Sequence, residues 1–233
     1  MRIAKFIADN GICSRRQAER LIEQGVVTID GQTITSPAIN VDEKNTITVD
    51  GKTLKHSNAA QLWVYYKPLG LITTHDDPQG RTTIFETLAG KLPRVISVGR
   101  LDINSEGILL LTNSGDLARY YEAPANKIER VYRVRSYGRM KELNFYNQEI
   151  VIEKIKYNIK SIKLISKTGA NSWYEVILTE GKNREVRRIF EHFGFEINRL
   201  IRTNFGAYSL DNLKPGEFRE VKVNENYRRQ AQK

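Results

Sequence analysis

The sequence predicts an α+β protein in two parts, a small N-terminal module and a larger domain in which strands alternate with helices. Two helix-period segments open the chain, and short β-like runs follow them up to about residue 56. The small polar stretch Ser57–Ala60 then precedes apolar sequence, which is typical of a domain boundary. We therefore predict a module at residues 1–56, a linker at 57–60 and a second domain at 61–233 with a frayed polar tail.

The charge balance indicates an anionic partner, and nucleic acid is the leading candidate. The 233 residues include 37 Lys and Arg against 27 Asp and Glu, a net charge of +10 at pH 7 that attracts phosphate backbones. A hydrophobic fraction of 40% supports a packed core and argues against disorder. The longest apolar run, Ile108–Leu111, cannot cross a bilayer, and the lone Cys13 excludes an internal disulfide framework. Three scattered histidines give no metal-ligand spacing, so we expect a cytoplasmic protein with no membrane contact and no metal.

The module begins with two predicted helices. Ile3, Phe6 and Ile7 share one face of the first helix. Ser14 is a favourable N-cap for the second, and Gln17 lies three residues further on, as in a capping box. The second helix has an apolar stripe and, on its other side, the basic residues Arg15, Arg16 and Arg20. These arginines are either an ordinary solvated face or a binding surface.

Short β-like runs complete the module and recur through the second domain. In the module they are Val26–Ile29 and Ile47–Val49, followed by the turn dipeptides Asp30-Gly31 and Asp50-Gly51. In the second domain the predicted strands are Leu62–Tyr66, Val95–Val98, Ile108–Thr112, Val131–Arg135 and Tyr174–Thr179. The predicted helices there are Asp116–Glu122 and Arg184–His192.

The helix at Arg184–His192 has the clearest pattern. Val186, Ile189, Phe190 and Phe193 recur at helical spacing and are expected to face the core. Its N-terminus lies beside two cations, an arrangement that suits a phosphate. The cations are Lys182 and Arg184. The alternative is a solvated basic face.

A carboxylate between two apolar strands is the strongest chemical signal from the residues themselves. Asp102 lies in the loop Gly99–Gly107, two positions after Arg100. A lone loop aspartate is usually a turn or cap residue. Cations from this loop and from the distant helix could instead keep the carboxylate ionised in a dry pocket.

The N-terminal stretch SRRQAERLIEQGVVTIDG resembles the alpha-L RNA-binding motif, a helix-turn-helix-like module. The resemblance implies that Arg15, Arg16 and Arg20 contact RNA.

Motifs in the second domain resemble the ribosomal pseudouridine synthases of small-subunit type A and of large-subunit types B, E and F. The stretch GRLDINSEGILLLTNSGDLA is similar to their signature. Further resemblances run in order along the chain, with KPLG and DPQGR before this stretch and with ERVYRV, EGKNREVRR and LIR with Gly206 after it. The stretches IERVYRV, SWYEVILTEGKNREVRRIFEHFG and RLIRTNFG most resemble the large-subunit type B. Ser105 stands where many relatives have Thr, which keeps the hydroxyl. The segment Gln148–Lys167 carries no motif.

The resemblance implies a mixed, largely antiparallel sheet and a cofactor-independent enzyme that isomerises uridine to pseudouridine in ribosomal RNA. It implies that Asp102 acts at the ribose, as nucleophile or as base, that Arg187 pairs with this carboxylate, and that Tyr132 lies against the uracil. It implies an RNA-positioning role for Arg100. Lys67 is expected to be either a solvated loop lysine or an RNA contact. The expected partner is large-subunit ribosomal RNA, bound by a monomer.

Two other functions compete with this one. A non-catalytic RNA-binding assembly factor could have lost the activity, although the intact set Arg100, Asp102, Tyr132 and Arg187 disfavours it. A DNA-binding protein would use only the module, and it would leave the GRLD segment without a purpose.

Overall fold

Two separate β-sheets divide the chain. The computed structural model describes residues 1–55, 59–137 and 142–227. A four-stranded sheet belongs to the N-terminal module, and a ten-stranded sheet belongs to the second domain. The fold class is therefore α+β, as predicted. Two of the four proposed linker residues, 57 and 58, and the tail beyond residue 227 lie outside the described residues.

The module packs two helices on a small antiparallel sheet. Helix α1 spans Ile3–Asp9, and helix α2 spans Arg15–Glu23 with the predicted Ser14–Gln17 capping box in place. The apolar helix faces form one core with residues of the sheet. The strands, in sheet order β2-β1-β3-β4, are β1 Val27–Ile29, β2 Gln32–Ile34, β3 Ile47–Val49 and β4 Lys52–Thr53.

The sequence pattern missed strands β2 and β4, which are short and mostly exposed. Their positions follow from the two turn dipeptides that it did identify. Asp30 and Gly31 have φ of 51° and 82°, and Asp50 and Gly51 have φ of 48° and 73°. Two consecutive left-handed residues make the tight hairpin turn that Asp-Gly favours, so each predicted strand is followed by a partner.

The second sheet has the order β14-β5-β7-β12-β8-β11-β10-β9, with β6 paired to β7 and β13 paired to β12. Among the described strands only β7 and β12 run parallel. The strands are β5 Leu62–Lys67, β6 Ile96–Val98, β7 Glu106–Thr112, β8 Arg130–Tyr137, β9 Phe145–Ile152, β10 Ile155–Thr168, β11 Asn171–Leu178, β12 Glu196–Phe205, β13 Tyr208–Ser209 and β14 Phe218–Val221.

Among the described residues, the helical elements of this domain before residue 225 are three helices and one 3₁₀ turn. They are α3 Ile84–Leu88, α4 Gly115–Glu122, the 3₁₀ turn Pro124–Asn126 and α5 Glu185–His192. Helix α5 begins one residue later than predicted, because Arg184 takes a left-handed conformation (φ 50°) at its N-cap. Val186, Ile189 and Phe190 are buried as expected.

Several elements of this domain were not predicted from the periodicity of the sequence. They include α3, the strands after α5 and the β9–β10 hairpin, which holds the motif-free segment 148–167. Strand β9 is mostly exposed, and β10 is exposed over its last residues, so neither shows a clean alternation of buried and exposed side chains.

Strand β7 lies inside the sheet, between β5 and β12, and positions the loop before it. All seven of its residues are buried. The parallel partner β12 lies so close that a Cβ atom on Gly107 would be 2.2 Å from the carbonyl oxygen of Arg202. Gly107 also has φ of 114°, so only glycine permits this approach. The tight contact fixes where β7 begins, and hence where the loop carrying Asp102 ends.

The module contacts the second domain through α1. Lys5 Nζ lies 2.8 Å from a carboxylate oxygen of Asp116, at the start of α4, and 3.0 Å from Asp9. The described helices include none long and apolar enough to cross a membrane.

Candidate active site

The predicted catalytic aspartate stands at the edge of a deep cleft. The loop between β6 and β7 turns tightly, since Ser105 N–H donates to the carbonyl of Asp102 (3.0 Å). Thr73 Oγ1 holds the same loop by donating to the carbonyl of Leu101 (3.0 Å). The Asp102 side chain is 37% exposed and lines a cleft of about 900 Å³. The hydrogen bonds from Ser105 and Thr73 therefore hold the loop that carries the Asp102 carboxylate.

Lys67 buttresses this loop from beneath. It is the last residue of β5 and is fully buried, with Nζ donating to the carbonyls of Ser105 (2.9 Å) and Pro68 (3.0 Å). Burial lowers the pKa of Lys67 to about 8, against the opposing charges of Asp102 and Glu106. The expectations of a solvated lysine or an RNA contact are therefore corrected. An amine with no exposed surface cannot reach a phosphate, and Lys67 supports the aspartate loop instead.

Arg184 is the cation that pairs with Asp102. Its Nη1 lies 3.5 Å from the Asp102 carboxylate, and its left-handed backbone aims the side chain from the N-cap of α5 towards the loop. The expectation that Arg187 makes this pair is corrected. Arg187 Nη2 donates to the carbonyl of Asn104 (2.7 Å) and lies 3.5 Å from Ser105 Oγ. Arg187 thus ties α5 to the loop that carries the aspartate.

The environment of Arg187 is partly dry. Its Nε is buried without a hydrogen-bond partner among the described residues. Burial lowers its pKa, as does the charge of Arg184, while Asp102 raises it. The carboxylate and both guanidiniums therefore belong to one electrostatic group, although only Arg184 is in direct contact with Asp102.

The floor of the cleft is aromatic and basic. Tyr132 is 8% exposed on β8 and lies opposite Arg202 of β12 in the sheet register. Arg130 and Arg202 each place their guanidinium carbon 4.9 Å from the centre of the Phe205 ring. All of these residues line the same cleft as Asp102. Tyr132 is thus in the predicted place, inside the site rather than in the apolar core alone.

The rim of the cleft carries exposed cations. Arg100 is exposed on the loop beside Asp102, and Lys182 forms an ion pair with Glu180 while lying 5.6 Å from the centre of the Tyr157 ring. Both line the cleft, together with Arg184. The structure therefore brings these predicted RNA contacts to one opening.

Sequence reasoning missed three buried charged residues at this site, namely Arg130, Arg202 and Glu185. Glu185 lies in the first turn of α5, where its carboxylate accepts a bond from Lys182 N–H (3.0 Å). Burial, and then the neighbouring Glu180, raises the pKa of Glu185 to about 8. Arg130 and Arg202 were inside recognised motifs, but a charged residue in a short strand pattern gives no signal that it is buried.

The basic face of the module is separate from this cleft. Arg15, Arg16 and Arg20 are all exposed on α2, whose opposite face carries the buried Ala18 and Ile22. The described residues form no ion pair with these three arginines. The same helix carries the exposed Glu19 and Glu23, so its net charge is only slightly positive, but three exposed arginines with no ion pair still suit a phosphate backbone.

The cleft offers an ion-paired carboxylate at its edge, a tyrosine on its floor and cations around both. That set can act on a ribose or a base and can hold phosphates outside. Among the described residues no group of three or more His, Cys, Asp or Glu side chains could hold a metal ion.

Comparisons with known proteins identify the families to which the two parts of the chain are similar. A family model described as RNA pseudouridylate synthase matches residues 61–192, and a model of the S4 domain matches residues 1–47. An S4 domain joined to this mixed-sheet domain defines an RNA-modifying enzyme of two parts. The chain belongs to the RNA pseudouridylate synthase family.

Similar proteins cover nearly the whole chain. An uncharacterized RNA pseudouridine synthase of Rickettsia felis is 57% identical over 223 residues, covering 94% of this chain and 96% of the relative. Ribosomal large subunit pseudouridine synthase B of Pasteurella multocida is 38% identical, covering 98% of this chain and 69% of that protein. A crystal structure of a pseudouridylate synthase aligns with a TM-score of 0.62 at 29% identity, covering 95% of this chain and 96% of the other.

Proposed function

We propose that the protein converts a specific uridine of large-subunit ribosomal RNA to pseudouridine, with Asp102 acting at the ribose. The observation that carries the proposal is the meeting of Asp102, Arg184 and Tyr132 at one cleft. The similarity to large subunit pseudouridine synthase B supports the choice of RNA.

The target nucleotide must leave its stack to reach Asp102. Extrusion of a base costs on the order of a few kcal/mol, and least where the base is already unpaired. A cleft of about 900 Å³ is large enough for an extruded nucleotide. The exposed Arg100 and Arg184 and the half-buried Lys182 at its rim would hold the flanking phosphates.

Asp102 would act either as a nucleophile at C1′ or by removing a ribose proton, and both roles require an ionised carboxylate. Arg184 favours the ionised form by direct pairing. Arg187 would act as a positioning residue, because it fixes the loop through Asn104. Tyr132 would lie along the uracil and accept the C5 proton late in the reaction.

The module would dock the enzyme on RNA through the exposed arginines of α2. We propose that the enzyme acts as a monomer. The setting that we propose is the cytoplasm, and the reaction requires no redox cofactor because the product is an isomer of the substrate.

The experiment is to map pseudouridines in ribosomal RNA from cells with and without the protein, and in cells that carry Asp102→Asn. We expect one large-subunit pseudouridine to disappear without the protein and to stay absent with the variant, because an amide is a far poorer nucleophile or base.

Asp50→Asn is a matched control, since Asp50 lies in a left-handed turn that Asn also tolerates and is remote from the cleft. It should restore the modification. An unchanged pseudouridine map without the protein would overturn the ribosomal target. Restoration by Asp102→Asn would leave the non-catalytic binding factor as the better account.

A further inference from the structure

Arg202 lies at the floor of the cleft and has no role in the chemistry described so far. Its side chain is 3% exposed, and its Nε donates to the carbonyl of Ile108 (2.9 Å). Its guanidinium interacts with the Tyr132 side chain, but Nη2 is buried without a hydrogen-bond partner among the described residues. A charged donor left open inside a site is costly, so it is expected to have a partner when the site is filled.

A second buried guanidinium lies near the same Phe205 ring. Arg130 is 5% exposed, and its nitrogens donate to the carbonyls of Ile128 (2.8 Å) and Tyr121 (3.3 Å). The described residues form no ion pair with either arginine. Burial is the main cause that lowers the pKa of Arg130, and the charge of Arg202 also lowers it, while Tyr132, Glu185 and Glu122 act in the opposite direction. Two buried like charges around one ring make this floor favourable for an anion.

The position of these charges decides which anion they suit. Arg130, Arg202, Phe205 and Tyr132 form the inner wall of the cleft, while the exposed cations stand at its rim. A phosphate would keep most of its hydration at the rim. A flat ring entering the cleft would meet Phe205, Tyr132 and the open donor of Arg202 together.

We propose that Arg202, supported by Arg130, stabilises the negative charge of the uracil ring after it is detached from the ribose. The proposal rests on the proposed function. When the C1′–N1 bond breaks, its electron pair remains on the ring, which becomes an anion. C1′ is then bonded to an Asp102 oxygen or, if Asp102 has taken a ribose proton, is part of a neutral unsaturated sugar. In either case the ring charge needs a counter-charge until C5 bonds to C1′. As that bond forms, either the C1′–O bond to Asp102 breaks and releases the carboxylate, or Asp102 returns its proton to the sugar. C5 then loses its proton to a base, and N1 takes up a proton.

The first test compares Arg202→Met, which removes the charge, with Arg202→Lys, which keeps it. We expect Arg202→Met to lower the single-turnover rate by about 10²–10³-fold, the usual effect of removing a donor aimed at developing charge. Arg202→Lys should recover a large part of that loss. The control is Arg133→Met, since Arg133 is exposed on the other face of β8, beside Trp173. It should leave the rate unchanged.

The leaving-group dependence separates this role from a structural one. RNA with 5-fluorouridine at the target releases a less basic ring, so its bond breaking depends less on a cation. We expect the loss caused by Arg202→Met to be several-fold smaller on this RNA, measured as consumption of the N-linked nucleoside. An equal loss on both RNAs, or a rate like that of the wild type, would overturn the proposal. So would a weaker affinity and a smaller salt slope with an unchanged rate at saturating RNA, since that pattern marks a phosphate contact.

A measurement on the wild-type protein covers the case in which the variants do not fold. Calorimetric titration would compare uracil with 5-nitrouracil, which is anionic at neutral pH, in salt high enough to screen the exposed cations. We expect the anionic ring to bind about tenfold or more tightly, because charge-assisted hydrogen bonds are the stronger ones. Equal affinity would count against the anion site. If the protein binds 5-nitrouracil more tightly than uracil but forms no pseudouridine, the anion site is supported and the proposed function is contradicted.

Discussion

Charged side chains beside the predicted catalytic residue divide into supports and contacts, and burial decides which is which. Lys67 and Arg187 bind carbonyl groups of the Asp102 loop, whereas Arg184 reaches the carboxylate itself. The residues that hold the loop are buried or half-buried, and the one that pairs with the carboxylate is 51% exposed. Single substitutions should therefore separate loop support from carboxylate pairing.

Replacing Tyr132 by Phe should separate ring packing from proton transfer. The ring can still lie against the uracil, so RNA affinity should change little. The hydroxyl is lost, and base assistance is typically worth about 10²–10⁴-fold in rate. Single-turnover rates beside thermal melting decide between the two roles. A normal rate would show that Tyr132 packs and does not catalyse, whatever happens to the melting temperature.

Arg184→Gln and Arg187→Gln should fail in different ways. Removing Arg184 breaks a half-exposed pair, which should change the unfolding free energy by about 0–1 kcal/mol while slowing catalysis. Removing Arg187 frees the carbonyl of Asn104 and loosens the loop, which should cost about 1–3 kcal/mol as well as activity. Urea unfolding with single-turnover rates measures both quantities. Equal destabilisation by the two variants would contradict this division of roles.

At the scale of elements, the site is the place where β7, β12 and α5 meet. The close contact at Gly107 brings β12 beside β7, and Arg187 ties α5 to the loop before β7. The first turn of α5 also carries the buried Glu185. The stability of this turn, which presents Arg184, therefore depends on the protonation of one carboxyl group.

Glu185 should make the protein less stable as the pH rises. Its pKa is raised from 4.5 to about 8 in the fold, so between these values the folded state keeps a proton that the unfolded state has released. Stability linked to this group is complete below about pH 4.5 and is lost as the pH approaches 8. Across this window the loss of unfolding free energy should be on the order of 2–4 kcal/mol. The Glu185→Gln variant stays neutral and should not show this loss.

Urea unfolding of both proteins across this pH window measures the effect. Glu180→Gln is a useful companion, since it removes the neighbouring charge that helps to raise the Glu185 pKa, and it should reduce the slope without abolishing it. Parallel pH profiles for the wild type and Glu185→Gln would show that Glu185 is ionised in the fold.

At the scale of the whole molecule, RNA docking and catalysis belong to separate cores. The module has its own apolar core, and the cleft lies wholly in the second domain. The described contact through Lys5 and Asp116 is an exposed ion pair, which contributes little stability.

Deleting residues 1–56 should weaken RNA binding and leave the second domain folded. Each lost phosphate contact should reduce the slope of log K against log salt by about 0.7–0.9. The measurement is RNA affinity at several salt concentrations for the full chain, the truncated chain and Arg16→Gln. Unchanged affinity and slope in the truncated chain would mean that the arginines of α2 are only a solvated face.

The sequence by itself determined what depends on near neighbours. Helical spacing located α1, α2, α4 and α5 to within a residue or two, and Asp-Gly dipeptides marked the hairpin turns. Ordered motifs placed Asp102 in a loop before a buried strand and Tyr132 on a later strand. The weak alternation of β9 and β10 left that hairpin unpredicted, because exposed strands bury too little side-chain surface to impose a pattern.

Only the tertiary structure decided which charges are buried and which of them meet. Lys67 is buried and supports the Asp102 loop, and Arg184 rather than Arg187 makes the direct pair with Asp102. Arg202 lies at the floor of the cleft. Spacing along the chain cannot decide these outcomes, because Arg184 and Asp102 are joined only through the packing of α5 against strands far away in sequence. A charged side chain is buried or exposed according to the residues that pack against it. Those residues come from other elements of the sheet, so the strand that carries the charge does not determine its burial.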